Sequence, residues 1–191
     1  MNYPWQNVLY IDAQGKTIPY QRSVSTDDTV GPGFINLKQK PASISAIPEA
    51  LADIPLATAL AKINEIDTGI FSVGCHVQHI ADQQGYRTSA YLEFSFNDQH
   101  QVKDAAEYFS LFYQFHQRLI QARFPHSIHF DWTIMPAVFT DINSHGFTCS
   151  VKINSAYYPD QIKLQAAWAS ALSLLTEFLV SVKKIDGEKI Y

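Results

Sequence analysis

Cysteine is scarce, with only Cys75 and Cys149 in 191 residues. A disulfide framework is therefore excluded, and both residues fall at apolar positions of alternating segments, as reduced core thiols do. Neither C-x-x-C nor H-E-x-x-H occurs, and G-x-G-x-x-G and G-x-S-x-G are also missing. The common zinc, dinucleotide and esterase-elbow signatures are thus absent. Gly15-Lys16-Thr17 ends like a phosphate loop. The required earlier glycine is replaced by Tyr10, and Ile18-Pro19 forbids the helix that should follow, so these residues read as a turn. Excess positive charge is lacking too. Lys and Arg number 14 against 18 Asp and Glu, a net charge of -4. The basic residues are scattered, and the two close pairs, Lys38/Lys40 and Lys183/Lys184, read as solvated surface. A nucleic-acid partner is not expected, because such a partner needs a basic face.

Long apolar runs are missing as well. The stretch 166–182 is broken by Ser170, Ser173, Thr176, Glu177 and Ser181, so no membrane span is expected. Residues 1–7 lack the charged and apolar regions of a signal peptide. The expected setting is a bacterial-type cytosol, with no membrane partner.

What is present is globular composition: 47% apolar and 13% aromatic residues. A chain of this length buries roughly 70% of its unfolded surface without a staple. The expectation is a single domain, 1–191. Residues 1–45 form a hairpin and an irregular segment, and 46–186 form an α/β core. The hairpin is read from Val8–Ile11 and Thr17–Tyr20 around Asp12–Lys16, with Pro19 marking an edge strand. Ser23–Gly33 reads as loop and Phe34–Leu37 as a short strand. Asp53 and Pro55 open a helix running to about Ile66, and Pro48 separates it from what precedes.

The centre has clear periodicity. Phe71, Val73, Cys75 and Val77 alternate with polar residues, as do Ala90, Leu92, Phe94 and Phe96, with a turn at 83–85. Asp98 and Gln101 resemble a capping box for a helix reaching about Arg123. Ile128, Phe130, Trp132 and Ile134 then alternate, as do Phe147, Cys149, Val151 and Ile153, with the turn at 141–146. Pro159 opens a last helix, closed near Asp186-Gly187. The run is ββα followed by ββα. Strands alternating this cleanly have one wet face, which is antiparallel behaviour. The predicted fold is α+β: a two-layer sandwich of ferredoxin-like character, with an antiparallel sheet of four or more strands and helices on one face.

The wet face would carry Ser72, His76, Gln78, Arg87, Ser89, Tyr91, Glu93, Ser95, His129, Asp131, Thr133, Thr148, Ser150, Lys152 and Asn154. The candidate ligand-binding residues are His76, Arg87, Tyr91, Glu93, His129, Asp131 and Lys152. Tyr91 can stack on a ligand ring. Arg87 or Lys152 can hold an anion, and His129 beside Asp131 suits an oriented imidazole. His76 and His79, three apart on a strand, point to opposite faces and cannot chelate together. With no catalytic motif, the leading expectation is a non-catalytic binding or protein-interaction module. It would be dimeric or bound to another protein, open to a small molecule, and without a cofactor. A small enzyme using His129 and Asp131 is the alternative, and a metal protein using His76, Glu93 and His129 is the third reading.

Overall fold

The computed structural model describes residues 3–20, 33–182 and 189–191. Most of the expected loop at Ser23–Gly33, the Lys183/Lys184 pair and the Asp186-Gly187 stop lie outside the described residues. The chain has an α+β fold built on a mixed six-stranded sheet. Four long strands form its middle: β3 (Ile70–Asp82), β4 (Gly85–Phe96), β5 (Ile128–Phe139) and β6 (Ser144–Ser155). They pair antiparallel in the order β5-β6-β4-β3. Asp82 accepts the Gln84 N–H at 2.8 Å to close the β3–β4 turn. Gly85 follows at φ +120°, where a side chain would also run into the Tyr158 carbonyl. The β5–β6 turn is tighter than the expected 141–146: both strands run further, and Asn143 turns the chain at φ 48°.

The sheet is mixed because of its edge. β1 (Gln6–Ile11) and β2 (Lys16–Ile18) both lie parallel to β5, one after the other. They do not pair with each other, so the expected hairpin is not formed. β5 has twelve residues and β1 covers six of them. Continuing in the same direction lets β2 use the ladder that remains. Asp12 bridges the gap by donating its N–H to the Ile134 carbonyl at 2.9 Å. Phe34–Leu37 is loop and turn rather than a strand.

Aspartates start the longer helices. Asp53 caps α2 (Ile54–Ile63), Asp104 caps α3 (Ala105–Gln121) and Asp160 caps α4 (Gln161–Val180). Pro48, expected to act as a separator, instead opens the short helix α1 (Pro48–Ala52). Asp98 does accept the N–H groups of His100 and Gln101, each at 2.9 Å, but they belong to a single 3-10 turn. The α-helix begins only after Asp104.

The apolar sheet face packs on the helices through rings. Phe115 of α3 lies 5.1 Å from Phe130, 5.5 Å from Trp132 and 5.4 Å from Phe178 of α4. Tyr108 of α3 enters where the β4–β6 ladder ends at Phe94 and Cys149. Its hydroxyl donates to the Phe147 carbonyl at 2.5 Å and sits 3.1 Å from the Ser95 hydroxyl.

Two features reshape the other face. A bulge between Ser72 and Gly74 resets the strand period. Ser72, expected on the wet face, therefore turns toward α2, where Asn64 donates to its hydroxyl at 2.8 Å and accepts its N–H at 3.0 Å. Phe71 moves to the opposite face and meets Phe139 of β5 at 6.4 Å. In a flat sheet β3 and β5 would stand about 14 Å apart, so the sheet curls strongly around this side. Ile18 is fully buried, and Tyr191 packs against Phe71 at 5.0 Å and Phe34 at 5.8 Å. That end of the supposed wet face is thus apolar and continuous with the core, and Ser95, Thr148 and Ser150 are buried.

The N-terminal residues belong to the core rather than lying over it. Trp5, Ile18 and Leu37 join the main buried cluster. Lys38, read as solvated surface, is only 6% exposed. Its ammonium donates to the Glu65 carbonyl, the Thr68 hydroxyl and the Ile70 carbonyl at 2.8, 2.7 and 3.0 Å.

Candidate functional site

Strand register arranges the concave face as rungs across the sheet. One runs Gly74, Glu93, Ser150, Thr133, Tyr10, and the next runs His76, Tyr91, Lys152, Asp131, Val8. A third runs Gln78, Ser89, Asn154, His129, Gln6. The sequence-predicted residues His76, Tyr91, Glu93, His129, Asp131 and Lys152 therefore do share one face.

They do not share one pocket. Glu93 is 3% exposed. Lys16, which follows the Asp12–Gly15 excursion, reaches across to it, with Nζ 2.6 Å from Oε2. The same ammonium lies 5.8 Å from the centre of the Tyr20 ring. Glu93 Oε1 is buried and has no hydrogen-bond partner among the described residues. Tyr20 donates its hydroxyl hydrogen to the Val73 carbonyl at the bulge, at 3.1 Å.

Space exists here because residue 74 is glycine. A Cβ at that position would lie 3.4 Å from the Tyr20 hydroxyl, 3.7 Å from Glu93 Oε2 and 3.8 Å from the Tyr91 ring. A cleft of about 840 Å³ opens beside it, lined by Lys16, Thr17, Pro19, Tyr20, Gly74, Tyr91, Glu93 and Thr140. A smaller cavity of about 230 Å³ shares Tyr20, Gly74 and Tyr91 and adds Glu49, Cys75, Ile35 and Leu60. His76 stands at the rim, its ring 6.2 Å from that of Tyr91 and its Nδ1 3.6 Å from Glu49 Oε1.

The electrostatics are those of a partly dry, acid-rich site. Burial holds the Tyr20 hydroxyl well above its ordinary pKa, and Tyr91, Glu93, Cys75 and Glu49 each add to that. Tyr91 is raised for the same reasons, burial first and then Glu93. Burial, followed by Glu49, pushes the Cys75 thiol up to about 12. A thiol so placed is no nucleophile at neutral pH.

The other predicted residues lie outside these cavities. Arg87 stacks over Tyr157 at 5.3 Å, and its Nε is buried without a partner. His129 and Lys152 are exposed and Asp131 is half-buried. Asp131 stands opposite Lys152, and His129 opposite Asn154. Among the described residues, no group of three or more His, Cys, Asp or Glu side chains is arranged to hold a metal ion.

Sequence reasoning missed Lys16, Tyr20 and Glu49, which nothing local marks. Gly74 was the available signal, since a glycine inside a strand indicates a bulge or a close approach. His79 also has a structural role that sequence reasoning did not assign. It faces the helices, with Nε2 3.0 Å from Asp53 Oδ2 and Nδ1 2.9 Å from the Thr88 hydroxyl. Trp168 donates to the same Asp53 oxygen at 2.9 Å.

Comparison with protein-family models, curated proteins and solved structures finds no match for this chain. Among the described residues, no helix is long and apolar enough to cross a membrane.

Proposed function

We propose that this protein is a non-catalytic binding module that holds a small ligand in the cleft beside Gly74, between Lys16 and Tyr20 on one side and Tyr91 and Glu93 on the other. One observation carries the reading: a glycine opens space next to a buried carboxylate that has only one of its two oxygens partnered. A concave site with apolar walls and a few convergent polar groups is the usual form of a ligand pocket. His76 lies at its rim. Arg87, His129, Asp131 and Lys152 extend the polar face outward, where they would contact a larger ligand. On this reading the layered part of the fold, of ferredoxin-like character, serves to curl that face.

An acid–base role for His129 and Asp131 is less well supported, since they line neither cavity. A protein partner or second copy is favoured by a different observation. Ile54 and Leu51 are 79% and 71% exposed, and Ile54 borders an apolar groove of about 270 Å³ with Pro55, Ala59, Ala169 and Leu172.

A ligand-observed NMR fragment screen tests the cleft reading, with the wild type compared to Gly74→Val, which fills the space. Hits should bind the wild type and be lost in the filled variant, whose circular dichroism should be unchanged. Hits that bind both proteins equally would refute the site.

A further inference from the structure

Building on that ligand-binding reading, we infer that the cleft recognises a ligand bearing a cationic nitrogen, a primary ammonium or guanidinium, attached to a small flat or apolar body. Among the described residues, the charges that line the two cavities are unbalanced. Glu93 and Glu49 line them, and Lys16 is their lining cation. Lys16 takes one oxygen of Glu93, and the other is buried and unpaired. An unpaired buried acceptor is costly, and a charged donor that reaches it relieves that cost. An incoming ammonium can share the carboxylate with Lys16, since each carboxylate oxygen accepts more than one hydrogen bond.

The walls fit the same chemistry. Tyr20 and Tyr91 border both cavities, and Lys16 already sits over the Tyr20 ring. Aromatic faces attract cations. The inner cavity adds Ile35, Ile47 and Leu60 alongside Glu49, a mixed apolar and polar lining, with a volume of about 230 Å³ that suits a single ring or a short alkyl chain. An anionic ligand would meet Glu49 in the inner cavity and Glu93 in the outer cleft. Burial raises the tyrosine and cysteine pKa values first, and the same carboxylates add to the shift.

The test uses three probes sharing one ring: benzylamine, benzyl alcohol and benzoate at neutral pH, titrated into isotopically labelled full chain and followed by amide shifts. Benzylamine should saturate shifts at Gly74, Cys75, Tyr91 and Glu93, with the other two binding at least tenfold more weakly. Glu49→Gln and Glu93→Gln should each weaken benzylamine by several-fold. Glu49 is partly exposed, so its variant tests the idea even if Glu93→Gln is poorly folded. Equal or stronger shifts from benzyl alcohol or benzoate at those amides would overturn the cation preference and leave the cleft standing. Benzylamine affinity unchanged in both variants would also overturn it. No shift at those amides with any probe would remove both the preference and the cleft.

Discussion

Removing Lys16 tests the energetics of the cleft directly. Its ammonium holds a carboxylate that is almost wholly shut off from water. Truncating one partner of a buried ion pair costs about 3–5 kcal/mol, because the other charge stays buried and alone. The Lys16 side chain is 29% exposed, so water reaches that end and the cost should fall to about 2–3 kcal/mol. Methionine is the right replacement, since it keeps the stem's packing. For a protein of this size each kcal/mol moves the melting temperature by about 2–4 °C, so Lys16→Met should melt roughly 4–12 °C lower. Glu93→Gln should cost less, about 1 kcal/mol, because the lysine it releases can turn to solvent. Adding Glu93→Gln to Lys16→Met should then recover stability, the mark of coupled residues in a double-mutant cycle. Urea unfolding followed by circular dichroism measures all four proteins. A Lys16→Met cost below about 0.5 kcal/mol would refute the reasoning, as would a double variant no more stable than that single one.

Other expectations follow from the same coordinates. Asp53→Asn keeps an oxygen for the α2 cap but turns an amide toward the Trp168 indole N–H, so it should cost about 1–3 kcal/mol by urea unfolding; in a Trp168→Phe background that cost should largely vanish. Lys38→Met removes the charged donor that three oxygen atoms share and should cost about 2 kcal/mol, read as a lower urea midpoint. Burial pushes the Cys75 thiol up to about 12 in the fold against 9.0 for an exposed thiol, so above pH 9 the unfolded chain releases a proton that the folded one keeps, and stability should fall as pH rises from 9 toward 12. In Cys75→Ala that loss should be smaller, the remainder coming from the Cys149 thiol, whose pKa burial also raises, and from tyrosines; identical melting curves from pH 8 to 11 would contradict it.

The parts of this fold legible in the sequence are those set by local chemistry. The strands around Phe94, Trp132 and Val151 show themselves by alternation, because one face of each meets the helices. Asp53 reads correctly as a cap because capping needs only the next three residues. What escaped depends on distant chain. The place of β1 and β2 beside β5 is fixed by which ladder remains open. The burial of Lys38 depends on oxygen atoms about thirty residues away. Alternation also misled at Ser72, where one inserted residue exchanges the faces of the strand. Of the candidate site, Tyr91, Glu93 and His76 were legible from strand parity. Lys16 and Tyr20 were not, because only tertiary structure brings the first strand segments across to β4.

Tyr108 has a consequence for the order in which the molecule can assemble. The β4–β6 ladder stops at Phe94, and the Phe147 carbonyl beyond it is held by the Tyr108 and Ser95 hydroxyls. The end of the sheet is therefore finished by a helix side chain. Until α3 docks, that carbonyl lacks its tyrosine partner and keeps only the Ser95 hydroxyl as a link between the two strands there. Strand pairing there and helix docking should form and break as one cooperative unit, with amide protons at the splayed end exchanging in step with those of α3.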